Sequence, residues 1–107
     1  MLSPEQYKVW KEEVERQIKV ASQRERDKTK IIKTVYDNIS PARMVSLPEY
    51  ARMLKELGFS PKCIAKSLLT KRLILTAPNI AVAILENLDI PKDKIRFFLE
   101  KTQKGAI

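Results

Sequence analysis

The sequence predicts an all-α protein: a small bundle of five to seven helices that contains two tandem hairpins of the helix-turn-helix type. The chain has 107 residues with only two glycines and six prolines, which leaves few turns and favours helices over a sheet. Apolar residues recur at three- and four-residue steps, the spacing of one helix face. In addition, residues 54–64 return in similar form as residues 85–95, a repeat of 31 residues.

Each copy of the repeat reads as a helix that ends on a leucine pair, a tight turn, and a second helix. In the first copy Gly58 supplies the turn, and Ser60 with Pro61 opens the next helix. In the second copy Asp89 stands at the position of Gly58. Two copies are too few to define a solenoid, but stacked hairpins would show this spacing.

The N-terminal segment predicts an amphipathic helix. Ser3 is a suitable N-cap, Pro4 suits the first helical position, and Gln6 completes a capping box. One apolar stripe follows: Tyr7, Trp10, Val14, Ile18 and Ala21. We therefore divide the chain into an amphipathic helical arm, residues 1–38, and a compact helical body with the repeat, residues 39–107.

Three connecting segments carry weaker signals. Residues 22–30 lack apolar residues, glycine and proline, so the first helix is expected to continue through them with at most a light kink. Ser40 and Pro41 are expected to open a helical turn that reaches Val45. Thr76 is expected to cap the following helix, and the tail from Lys101 is expected to fray.

Composition excludes several classes of function. The chain has no histidine and Cys63 is its only cysteine, so it can form no internal disulfide, no zinc site of the Cys/His type and no histidine-based triad. Two glycines cannot build a phosphate-binding loop. We expect no enzymatic activity, no catalytic residue, no cofactor and no metal.

The longest apolar stretch is too short to span a bilayer. It runs over residues 73–85, or 13 residues, against the roughly 20 that a membrane helix needs. The N-terminus also lacks the apolar segment of a signal peptide. We expect a cytoplasmic protein without a membrane partner. The absence of histidine, the abundance of Lys, Glu and Ile, and few amides are typical of a thermophilic source.

The charge of the chain favours an anionic partner. The net charge is +8, and residues 22–76 carry 12 basic against five acidic groups, which is seven of the eight excess charges. Such a field attracts phosphate backbones. The sequence therefore predicts nucleic acid as the partner, with DNA favoured over RNA, although a lysine-rich surface also serves solubility alone.

The first copy of the repeat locates the expected contact. At 100° per residue, Lys62, Lys66 and Thr70 lie opposite the apolar side of the helix that follows Gly58, where a recognition helix would meet a groove. Lys71 and Arg72 follow, suited to phosphates. We call these five residues the recognition set. Lysines without Asn, Gln or Arg beside them predict modest sequence preference.

A second basic cluster lies further towards the N-terminus. We call it the arm set: Arg24, Arg26, Lys28, Lys30 and Lys33. It either lies along a phosphate backbone or forms a solvated helix in which Glu25 and Asp27 pair with the arginines.

The competing interpretation is a protein-interaction module or a small subunit of a larger assembly, including one that processes nucleic acid. Its docking face would be the stripe of Tyr7, Trp10, Val14 and Ile18 on the N-terminal helix. The same stripe could pair two copies into a homodimer, since this spacing is also that of coiled-coil seams. Both interpretations stay open at the level of the sequence.

Overall fold

The computed structural model describes residues 2–39 and 45–105, with side chains described as far as Lys101. This part of the chain contains seven helices and no strand, so the predicted all-α bundle is confirmed. The helices are α1 (Pro4–Ser22), α2 (Lys28–Ile39), α3 (Leu47–Glu56), α4 (Pro61–Leu68), α5 (Lys71–Thr76), α6 (Pro78–Asn87) and α7 (Lys92–Gly105).

Serine residues begin three of these helices in the way that their sequence context indicates. At α1 the Ser3 hydroxyl accepts a hydrogen bond from the Gln6 N–H, and the Gln6 side chain accepts one from the Ser3 N–H. Ser46 at α3 and Ser60 at α4 each accept from the backbone N–H three residues on. Each cap satisfies a backbone donor that the first helical turn leaves without a partner.

The two copies of the repeat close their turns identically. Gly58 and Asp89 both adopt the left-handed conformation, with φ of +102° and +58°. The matching hydrogen bonds are those from Phe59 N–H to the Leu54 carbonyl and from Ile90 N–H to the Leu85 carbonyl, both 3.1 Å. This six-residue closure is the Schellman motif that ends many helices. The repeat in the sequence is thus a repeat of α3–turn–α4 as α6–turn–α7.

A single core cluster joins the N-terminal helices to the body. Val14 of α1 and Ile32 and Val35 of α2 are buried in the same cluster as Tyr50 and Leu54 of α3. The Tyr50 hydroxyl donates to the Ile32 carbonyl at 2.7 Å, which ties α2 to α3. Helix α2 also packs on α1 and α4, and α3 packs on α6. The division of the chain at residue 38 stays a prediction, but both of its parts share this core.

The expectation of a continuous helix through residues 22–30 is wrong. Helix α1 ends at Ser22, and α2 begins at Lys28. In the turn between them Glu25 accepts hydrogen bonds from the N–H groups of Arg26 and Asp27, and Asp27 accepts one from Thr29. Acidic side chains that accept hydrogen bonds from nearby backbone N–H groups favour turns and helix starts over a continuing helix.

Two further boundaries differ from expectation. Thr76 lies inside α5 and donates to the Arg72 carbonyl at 2.7 Å, whereas α6 begins at Pro78 with Ala77 as its N-cap. Proline suits the first helical position, which moves the boundary past Thr76. Helix α7 continues to Gly105 instead of fraying from Lys101. Of the helical turn expected over residues 40–45, only Val45 lies among the described residues.

Candidate nucleic-acid interface

Helix α4 presents two lysines on a well-anchored backbone. Its inner side is formed by the buried Ile64, Ser67 and Leu68, and it packs against α2 and α3. The Ser67 hydroxyl donates to a carbonyl one turn back at 2.7 Å, so this buried polar group is satisfied. Lys62 and Lys66 are exposed, one turn apart. Their predicted position opposite the apolar side agrees with this geometry.

The other three residues of the recognition set lie at the start of α5 and not on α4. Helix α4 ends at Leu68, and Thr70 is the N-cap of α5, with its hydroxyl accepting from the Leu73 N–H at 3.1 Å. Lys71 and Arg72 occupy the first turn of α5. The expectation that Thr70 lies on the outer side of α4 is therefore wrong. Threonine's preference for N-cap positions is the sequence signal that could have shown this.

The recognition set thus spans a junction between two helices. All five of its side chains are exposed. They are divided between α4 and the start of α5, since the chain leaves the helical conformation at Leu69 before α5 begins.

The arm set is not a straight helical arm. Arg24 and Arg26 lie in the turn after α1, whereas Lys28, Lys30 and Lys33 lie on α2. All five side chains are exposed. Because α2 packs on α4, Lys28, Lys30 and Lys33 of the arm set lie on a helix next to the one that carries Lys62 and Lys66.

Pairing of charges differs between parts of the molecule. Four of the six cations of α1 and α3 have carboxylate partners: Lys11 with Glu56, Arg16 with Glu13, Lys19 with Glu15, and Lys55 with Asp89. Residues 57–85, which include α4 and α5, contain no Asp or Glu at all. No described carboxylate forms an ion pair with Lys62, Lys66 or Arg72.

The carboxylates nearest in sequence to the arm set are occupied by the backbone. Glu25 and Asp27 accept from N–H groups of their own turn. The ion-paired helix considered as the alternative for this segment is not formed, because the helix itself is interrupted there. Arg24 and Arg26 are exposed, and no described carboxylate forms an ion pair with them.

Helix α4 also begins with a positive charge. Helices α1, α3 and α7 each carry an acidic residue in the first turn, namely Glu5, Glu49 and Asp93, whereas α2, α4, α5 and α6 have none. Acidic groups normally stabilise the positive end of the helix dipole. In α4 that turn carries Lys62 instead. The lysine adds to the positive potential there.

The apolar stripe of α1 is used by the chain itself. Val14 is fully buried, and Tyr7, Trp10 and Ile18 are half-buried against the core. The Tyr7 hydroxyl donates to Glu56 of α3. Burial, together with that carboxylate, raises the pKa of Tyr7, so the hydroxyl keeps its proton and remains a donor. Most of the stripe predicted as a docking face therefore packs on the chain's own core, and docking through its half-buried residues stays a prediction.

Further contacts reinforce the attachment of α1. The Leu2 N–H donates to Glu49 at 2.9 Å, and the Arg52 guanidinium lies 5.9 Å from the centre of the Tyr7 ring. Burial acts to raise the pKa of Glu49, but the bonds from Leu2 and Ser46 outweigh it and lower that pKa. Glu49 is therefore ionised at neutral pH and holds the start of the chain on α3.

Comparison with known proteins found no match to this chain, whether among family models, curated proteins or solved structures. Within the described residues no group of acidic and cysteine side chains could hold a metal ion. In the same residues no helix combines the length and the apolar content needed to cross a bilayer. The function is therefore inferred from the surface charge and geometry of the molecule.

Proposed function

We propose that this protein binds nucleic acid, with double-stranded DNA favoured over RNA, and that it does so without catalysing a reaction. The recognition set makes the central contact, and the arm set adds contacts to the phosphate backbone. The observation that supports this proposal most directly is the exposure of all five recognition-set side chains, in a stretch of the chain (residues 57–85) that contains no Asp or Glu.

The dimensions of α4 suit this role. An α-helix with its side chains is about 10–12 Å across, which fits the DNA major groove of about 12 Å width, and the eight residues of α4 make about two turns. The outer side of α4 offers Lys62 and Lys66, compact ammonium groups that favour phosphate oxygens over base edges. Binding by release of counterions from the phosphates follows, with a steep loss of affinity as salt rises.

The expected sequence preference is modest. Bidentate reading of bases uses Arg, Asn or Gln, and α4 contains none of them. Arg72 at the start of α5 is the only residue of the recognition set with a planar, two-pronged donor group. Affinity should therefore differ little between unrelated duplexes of equal length.

The proposed contact is tested by fluorescence anisotropy with a labelled duplex, and with its single strand, at several salt concentrations. Lys66→Gln should weaken duplex binding and reduce the slope of log affinity against log salt by about 1, the loss of one phosphate contact. Lys19→Gln is the matched control, since it removes the same charge from an exposed side chain of α1. It should leave the slope unchanged.

Each outcome has a definite meaning. An equal effect of the two substitutions would contradict the recognition set and indicate attraction by net charge alone. Tighter binding of the single strand would contradict docking of α4 in a groove. No binding of either strand at low salt would overturn the function.

A further inference from the structure

A groove between α6 and α7 remains open on the described surface. Its volume is about 410 Å³, and its apolar part is formed by Val82, Ile95 and Leu99. Ile95 is buried at the floor, whereas Val82 and Leu99 are half-exposed. The charged residues that line it are Glu86, Lys92, Arg96 and Glu100.

The repeat shows what such a groove holds elsewhere in the molecule. A shift of 31 residues relates Val82, Ile95 and Leu99 to Ala51, Ile64 and Leu68 of the first copy. These three are buried in the core cluster together with apolar side chains of α2. Helix α2 packs on α4, so the first groove is covered by an amphipathic helix.

The second copy lacks an equivalent cover. Among the described residues α7 packs on α5 as well as on α6, but no residue of α5 lines the groove. By analogy with the first copy of the repeat, the α6–α7 groove is a place where one more helix would pack. The chain contributes no such helix from its described residues.

A helix with suitable chemistry is exposed on the same molecule. Phe97 of α7 is 68% exposed, the largest fraction among the exposed large apolar side chains of the described residues. Residues three and four positions away share its face. They place Lys94 and Lys101 on one side of the ring, and Asp93 and Glu100 on the other. This pattern of mixed charges complements the acidic and basic walls of the groove.

We propose that a second copy of this chain occupies the α6–α7 groove, with Phe97 of its α7 inserted between Val82 and Leu99. In a pair related by a twofold axis each copy supplies one groove and one phenylalanine, so both grooves are filled at once. The mixed charges beside Phe97 favour this occupant over nucleic acid, since Asp93 and Glu100 would repel phosphates. The proposal is independent of nucleic-acid binding, and it transfers the dimer contact from α1 to α7.

The test is sedimentation equilibrium of nucleic-acid-free protein over a wide range of concentration. The native chain should associate to a dimer. Phe97→Ala should raise the dissociation constant of the dimer about tenfold or more, because aromatic residues at the centre of small interfaces carry much of the affinity. Val9→Ala is the matched control, since Val9 is 63% exposed on α1, away from the groove.

A second variant tests the charges without removing apolar area. Arg96→Glu reverses one charged wall of the groove and should weaken the dimer, more at low salt than at high salt. Phe97 and Arg96 are both exposed, and circular dichroism should show native helix content in both variants.

The contrary results are equally specific. A native chain that stays monomeric at every concentration would overturn the proposal and leave the groove to a helix of another protein. A dimer that Phe97→Ala and Val9→Ala affect equally would place the contact elsewhere.

Discussion

The first copy of the repeat (α3, its turn and α4) and the second copy (α6, its turn and α7) share one backbone turn but have different surroundings. Both turns are closed by the same hydrogen bond around a left-handed residue, Gly58 or Asp89. The first copy is enclosed, since α2 packs on α4 and Ile64 is fully buried. The second copy lies at the edge of the bundle, with the outer side of α7 exposed.

Side chains at equivalent positions explain what each copy can bind. Lys62 and Lys66 of α4 correspond to Asp93 and Phe97 of α7. At these positions α4 therefore presents only cations, whereas α7 presents an acidic residue and an aromatic ring. The spacing of the apolar residues determines the hairpin, whereas different, exposed residues would determine which partner it binds. A repeated fold is thus compatible with two different proposals for the two copies.

The largest expected effect concerns burial in the two copies. Ile64→Ala should lower the free energy of unfolding by about 4 kcal/mol, because it leaves a cavity in an enclosed core. Ile95→Ala should cost about 2 kcal/mol, since its site adjoins the open groove and can relax or admit water. Urea denaturation, monitored by circular dichroism in dilute protein, measures both values.

The same experiment carries its own control, because the two substitutions remove identical atoms from helices with equivalent turns. Equal losses in dilute protein would show that the groove is closed in solution. In concentrated protein, the loss at Ile95 should approach that at Ile64 if dimer formation covers the groove.

A smaller effect is expected at the turns. Gly58→Ala should lower the free energy of unfolding by about 1–2 kcal/mol, because alanine is strained in the left-handed conformation. A methyl group there would meet no atom within 4 Å, so the loss comes from the backbone alone. Asp89→Gly should cause no such loss, since glycine relieves this strain. Thermal and urea unfolding of both variants measure the contrast.

Destabilisation by Asp89→Gly as large as that by Gly58→Ala would contradict this account. It would show that the Asp89 side chain, which pairs with Lys55 of the first copy, outweighs the strain of its backbone. Asp89→Asn separates the two contributions, because asparagine tolerates the left-handed conformation and lacks the charge.

Local signals explain how much of this fold the sequence predicts. The caps at Ser3 and Ser46 and the turn at Gly58 depend on neighbours within a few residues, so they can be predicted from the sequence alone. The break after Ser22 cannot be predicted in this way, because acidic side chains can bind either a cation or a nearby N–H, and helix propensity does not distinguish the two.

The candidate site is only partly predictable for a similar reason. The exposure of Lys62 and Lys66 follows from helical spacing. The burial of Trp10 against its own chain does not follow from the spacing, because an apolar stripe has the same sequence pattern whether it packs on its own chain or on a partner. Likewise, the exposure of Phe97 depends on the absence of a covering helix, which is a property of the whole bundle.

The smallest expected effect concerns the ion pair that joins the two copies. The hydrogen bond from Lys55 holds the pKa of Asp89 below its ordinary value. A lowered pKa in the folded state stabilises the fold above the unfolded-state pKa, and that contribution is lost as pH falls through the folded-state pKa. Lys55→Met should return the pKa of Asp89 towards its ordinary value, as followed by NMR titration of the carboxyl carbon. Because Asp89 is exposed, the unfolding free energy should change little. An unchanged pKa in Lys55→Met would show that the two copies are held together by the apolar contacts of α3 and α6 alone.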